Sequence, residues 1–101
     1  MTYWLHPDAE IELEEAARYY AQHANLAVAD AFISEFERVL TILIANPFLG
    51  ANAEHGFRVY HLERFPYSLI YEPNVLSGPQ IYAVAHQRRR PRYWLSRGGG
   101  R

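Results

Sequence analysis

The hydrophobic period of this chain changes once, near Phe57, and that change constrains the fold more than any other feature. Before it, apolar residues recur at helical spacing. Ala9, Leu13, Ala16, Ala17 and Tyr20 make one face, and Val28, Phe32, Phe36, Val39 or Leu40, and Leu43 make a second. After it, Phe57, Val59, His61 and Glu63 alternate with Arg58, Tyr60, Leu62 and Arg64. Tyr67–Tyr71 and Gln80–Ala85 continue in the same style. Helices followed by short strands define an α+β chain, not an alternating α/β one.

The punctuation sets the order of elements. Tyr3-Trp4-Leu5-His6 reads as a first strand, and Pro7 suits the first turn of a helix rich in Asp8, Glu10 and Glu12. His23-Ala24-Asn25 separates two helices, and Pro47 ends the second at Asn46. Phe48 to Gly56 reads as a loop, and Pro73 to Pro79 as a turn. The expectation is a small antiparallel sheet with an N-terminal helical hairpin packed on it, in the order β-α-α-β-β-β, with a short basic C-terminal element. A chain of 101 residues fits one domain, expected over 1–97, with a flexible glycine-rich tail at 98–101.

With no cysteine there is no disulfide or thiolate chemistry. No apolar run approaches the roughly 20 residues of a bilayer span, and the start lacks the pattern of a signal peptide. A soluble, cytoplasmic protein with no membrane association is therefore expected. The five histidines have no ligand spacing, so no metal and no cofactor are expected.

Charge is segregated. Residues 1–37 carry eight acids and one arginine, whereas residues 86–101 carry six arginines and no acid. One acidic and one basic surface follow. Glu10, Glu12, Glu14 and Glu15 read as a solvated helix face. Every basic residue apart from the histidines is arginine, which grips phosphate or carboxylate with a two-pronged fork. At His86-Gln87-Arg88-Arg89-Arg90-Pro91-Arg92-Tyr93-Trp94 a histidine that can move protons near neutral pH sits beside arginines and two aromatic rings. A phosphate or nucleic-acid site fits these residues, with Tyr93 or Trp94 stacking on a base. A solvated basic end whose rings pack back on the sheet fits them too. Arg58 and Arg64 share parity and would extend the basic surface if one strand carried both.

The opening strand, the Pro7-Asp8-Ala9-Glu10 helix start, the hairpin closing at Asn46-Pro47, the run Arg64-Phe65-Pro66-Tyr67-Ser68-Leu69-Ile70-Tyr71 and the ending Ala85 to Trp94 together resemble the RelE/ParE toxin superfamily. The likeness spans residues 3 to 97. It implies the toxin half of a bacterial type II toxin–antitoxin pair, neutralised by a cognate antitoxin in a hetero-oligomer.

The superfamily has two branches. One cleaves mRNA on the ribosome and the other poisons DNA gyrase. On the first, the resemblance implies His86, Arg88 and Tyr93 as catalytic residues of a metal-independent endoribonuclease, with Arg58, Arg64, Arg89 and Trp94 binding substrate. That branch ranks first on the histidine–arginine–tyrosine grouping, ahead of the gyrase poison and of an inactive module that binds only its antitoxin. Two departures bear on it. The chain has no lysine, on which RelE relies, and Ser68 stands where the family's Tyr-Arg-Leu-x-Tyr strand carries arginine.

Overall fold

The computed structural model describes residues 2–98. Strand β1 (Trp4–Leu5) leads into helices α1 (Pro7–His23) and α2 (Leu26–Ala45). Strands β2 (Ala51–Asn52), β3 (Arg58–His61), β4 (Tyr67–Glu72) and β5 (Gln80–His86) follow. Single 3₁₀ turns lie at Glu54–Gly56 and Leu95–Arg97. The five strands form one sheet in the order β1-β5-β4-β3-β2.

The α+β architecture agrees with the sequence reading, with two differences. The sheet is mixed, because β1 pairs with β5 in parallel, Trp4 opposite Gln80 and Leu5 opposite Ile81. A parallel partner needs a long crossover, and the helical hairpin begins that crossover directly after β1. The stretch read as a loop after Phe48 holds β2, which pairs with Arg58 and Val59. Two residues are too few to produce a period.

Local chemistry sets the helix ends. Pro7 opens α1, and the His6 Nδ1 accepts the Asp8 N–H at 3.0 Å. Asn25 caps α2 by accepting the Val28 N–H at 2.9 Å. The last α2 turn closes with the Asn46 N–H on the Ile42 carbonyl, directly before Pro47.

Both sheet faces are covered. On one, Phe32, Phe36, Val39, Leu40 and Leu43 of α2 and Ala9 and Ala16 of α1 pack on Leu69, Tyr71, Ile81 and Val84. A register shift between Ile70 and Tyr71 pairs Ile70 with Ala83 but Tyr71 with Ile81. Tyr82 is the extra residue, so Tyr82 and Ala83 both join the far face while Ile81 and Val84 stay under the helices. That far face is a second, smaller core of Phe57, Ile70, Tyr82, Ala83, Ala85 and Trp94. The C-terminal segment thus folds across the sheet and completes it.

Two expectations are corrected here. Glu12 is not on a solvated face; it is 8 % exposed, whereas Glu10, Glu14 and Glu15 are exposed. Gly98, expected to open the flexible tail, is buried and its N–H meets the Leu95 carbonyl. Residues 99–101 lie outside the described ones.

Candidate functional site

Glu12 organises the basic end. It stands on the buried stripe of α1, three residues after Ala9 and four before Ala16. Oε1 accepts the Val84 N–H at 3.0 Å and an Arg97 Nη1 hydrogen at 3.0 Å. Oε2 accepts the Tyr93 hydroxyl at 2.7 Å, Arg97 Nη2 at 2.9 Å and Arg89 Nη1 at 3.1 Å. Five donors therefore saturate one carboxylate, which is how a buried charge becomes tolerable. The Val84 bond also has a topological origin: β1 pairs only with Gln80 and Ile81, so the rest of that β5 edge has no strand beside it. Arg97 satisfies the same edge by donating to the Tyr82 carbonyl at 3.0 Å.

The surrounding charges reinforce the arrangement. The Arg89 guanidinium lies 3.7 Å from the Tyr93 ring centroid and that of Arg97 5.0 Å. Burial, then the hydrogen bond to Glu12, pushes the Tyr93 hydroxyl well above the usual tyrosine range. Burial opposes the charge on Arg97, but the hydrogen bond and attraction of Glu12 outweigh it and raise its pKa.

His86 ends β5, half-buried, with its ring edge-on to Tyr67 at 5.0 Å. Its Nδ1 accepts the Arg88 backbone N–H at 3.0 Å. In the neutral ring this places the proton on Nε2, so the only lone pair is already used. Arg88 and Arg90 are exposed, and neither side chain makes an ion pair or hydrogen bond among the described residues. Arg92 takes a left-handed φ of 69° and is tied to Glu54 at 2.7 Å.

The sequence-predicted residues do not all converge. His86, Arg89, Tyr93 and Trp94 line one cleft of about 300 Å³, with Val59, Ile70 and Ala85. Trp94, though, is 7 % exposed and meets Phe57 edge-on at 5.2 Å, a core position with no open face for a base. Arg58 donates to the Phe48 and Gly50 carbonyls at 3.0 and 2.7 Å, which holds the loop after α2. β3 ends at His61, so Arg64 sits in the β3–β4 turn, in a separate groove beside Arg38 and Glu63. The two arginines therefore do not share a strand face.

Sequence reasoning missed Glu12, Arg97 and the pair formed by His61 Nδ1 and Ser68 Oγ at 2.6 Å. The helical spacing from Ala9 could have placed Glu12 inside. Nothing local distinguishes Arg97 from a tail arginine. Among the described residues no His, Cys, Asp and Glu cluster could hold a metal ion. No helix there is long and apolar enough to cross a membrane.

A helical hairpin on a mixed sheet, closed by an arginine-rich C-terminal segment, is the arrangement of RelE/ParE-type toxins. The family model "ParE toxin of type II toxin-antitoxin system, parDE" matches residues 3–91, and the chain belongs to that family. It is the toxin of a type II toxin–antitoxin system, and a cognate antitoxin is its partner. Seven chains of solved structures match it. One, titled "Chromosomal ParDE TA system from P. aeruginosa", superposes with a TM-score of 0.72 at 21 % identity, over 85 % of this chain and 95 % of that one. At that identity the likeness speaks for the fold. No curated protein matches the chain.

Proposed function

We propose that this toxin acts by binding DNA gyrase and not by cutting RNA. The sequence ranked ribosome-dependent mRNA cleavage first. The observation that carries the other reading is that the base and the hydroxyl cleavage would need, His86 and Tyr93, are engaged within the fold, and of the catalytic trio only Arg88 stays exposed. A general base needs a free lone pair within reach of the proton it takes. The lone pair of neutral His86 already accepts the Arg88 N–H. Tyr93 gives its hydroxyl hydrogen to Glu12, and Arg89 is paired with the same carboxylate. A phosphorane would have to displace a carboxylate that is covalently part of the chain. Ser68, where the superfamily's strand carries arginine, hydrogen-bonds His61 and supplies no cation. The membership in the ParE family supports the same direction.

What the surface offers instead is recognition. Arg88 and Arg90 are exposed beside the cleft that Val59, Ile70 and Ala85 line. An apolar cleft with an arginine-rich rim suits a protein surface that carries acids around an apolar centre.

The test is a supercoiling assay with purified toxin and gyrase, run beside mapping of mRNA ends after toxin induction. The expected result is inhibited supercoiling or trapped DNA breaks, with an unchanged pattern of mRNA ends. New ribosome-phased mRNA ends together with intact supercoiling would reject the proposal.

A further inference from the structure

We infer that Glu12 is a positioning residue for target recognition. It holds the segment from Arg89 to Arg97 against α1 and β5, and thereby presents Arg88 and Arg90 outward as the cations that meet an acidic surface on the target. This rests on the reading of the toxin as a binding poison.

The argument starts from which arginines point where. Arg89 and Arg97 turn inward to Glu12, at 3.1 and 2.9 Å. Arg88 and Arg90, flanking Arg89, are exposed, and neither side chain is paired among the described residues. Arg88 lies in the turn that the Arg89 N–H closes on the His86 carbonyl, and with Arg89 drawn to Glu12 both of its neighbours stay at the surface. The same carboxylate takes the Tyr93 hydroxyl, so the chain is fixed on both sides of Pro91 and Arg92. Trp94 in the far-face core and the Arg97 bond to the Tyr82 carbonyl anchor the far end of this part, and between His86 and Trp94 the other contacts are few. The Arg89 N–H reaches the His86 carbonyl, and Arg92 reaches Glu54 at the surface.

Charge at position 12 is therefore what sets the presentation. Without it, two guanidinium groups lose their common partner. The segment must then be ordered anew each time the target binds, which weakens binding. Glu12 itself is buried, so its effect on the target passes through the arginines.

The test compares three variants with the wild type, by growth arrest in cells lacking the antitoxin and by hydrogen exchange on the purified proteins. Glu12→Gln keeps the size of the side chain and an oxygen for the Val84 N–H, but removes the charge. Its exchange should quicken across residues 87–97 while α2 and β4 stay protected. The dose needed for arrest should rise about ten-fold, the effect of losing pre-organisation in two or more side chains. Val39→Ala loosens the helical core and leaves the Glu12 contacts intact, so arrest per folded molecule should be kept. Arg88→Gln combined with Arg90→Gln should keep wild-type stability and exchange and still raise the dose by at least as much as Glu12→Gln.

Three results would overturn the inference. One is full potency of Glu12→Gln despite a released segment. Another is an equal loss of potency in Val39→Ala, which would make stability the sole cause. The third is full potency of the double arginine variant, which also decides the matter if Glu12→Gln fails to fold. Growth arrest reads potency whatever the target, so a wild type that arrests growth without touching supercoiling would refute the gyrase reading alone.

Discussion

Glu12 and Arg97, 85 positions apart in the chain, form a two-pronged ion pair of 3.0 and 2.9 Å in which both side chains are nearly buried, at 8 and 12 % exposure. Removing one partner of such a pair leaves an uncompensated charge inside the protein, at a cost of about 3–5 kcal/mol. Here Arg89, Tyr93 and Val84 remain on Glu12, so Arg97→Ala should fall near the low end, about 3 kcal/mol. Arg97→Met should cost as much, because volume is not what is lost. Urea unfolding of the three proteins measures this. A cost below about 0.5 kcal/mol, typical of a surface substitution, would mean that the pair contributes little.

Trp94 tests whether the C-terminal segment is a structural layer. Its ring is buried against Phe57, which in turn meets Tyr82 edge-on at 5.2 Å. Trp94→Ala should cost about 3–5 kcal/mol, the range for truncating a large core aromatic. Tryptophan fluorescence should follow the same transition, since Trp4, on the first strand, stacks edge-on against Tyr82 at 5.2 Å. A mild variant with a wild-type midpoint would return the segment to the status of a solvated end.

Glu35 links stability to acid pH. The two-pronged hydrogen bond from Arg38, helped by the Glu63 N–H, holds its carboxyl below the usual carboxylate range against the opposing effect of its burial. A group whose pKa is lowered by folding contributes stability that is present above its unfolded value, about 4.3 for glutamate. That contribution disappears as pH falls through the lower, folded value. Glu35→Gln should therefore have a lower Tm than the wild type at pH 7, and the gap should close as pH drops below about 4. Thermal melts at stepwise pH check this. A gap that widens toward acid would reverse the sign and refute the assignment.

Most of the fold was legible because its signals are local. Pro7, Asn25 and Pro47 mark the helix ends, and the alternation after Phe57 marks the strands. The parallel pairing of β1 was not legible, since a two-residue strand carries no record of its partner. The candidate site was legible in composition but not in geometry. The run from His86 to Trp94 was found, yet its organiser lies on α1, and Glu12 looked like its exposed neighbours Glu10, Glu14 and Glu15. A charged residue is assigned to solvent by default, because burial without partners is prohibitive. Its spacing from Ala9 points inward, but its partners come from the far end of the chain, so only the fold shows what makes its burial tolerable.

Gly50 and Tyr71 are coupled tightly enough for a double-mutant cycle. The Gly50 N–H donates to the Tyr71 hydroxyl at 2.9 Å, and that hydroxyl donates to the Pro47 carbonyl at 2.8 Å. Tyr71 is fully buried and closes the loop after α2 onto β4. A Cβ on Gly50 would lie 2.7 Å from the hydroxyl, 2.9 Å from the ring edge and 3.0 Å from the Val59 carbonyl. Gly50→Ala should cost about 1–3 kcal/mol through overpacking. Tyr71→Phe should cost about 1–3 kcal/mol by stranding a donor and an acceptor. Removing the hydroxyl also removes the nearest obstacle to the new methyl group. The double variant should then be less unstable than the sum of the singles, by at least about 0.5 kcal/mol, the threshold for coupled neighbours. Urea midpoints for the four proteins give the coupling directly. Strict additivity would mean that the loop shifts as a unit to admit the methyl group and that the close approach carries no strain.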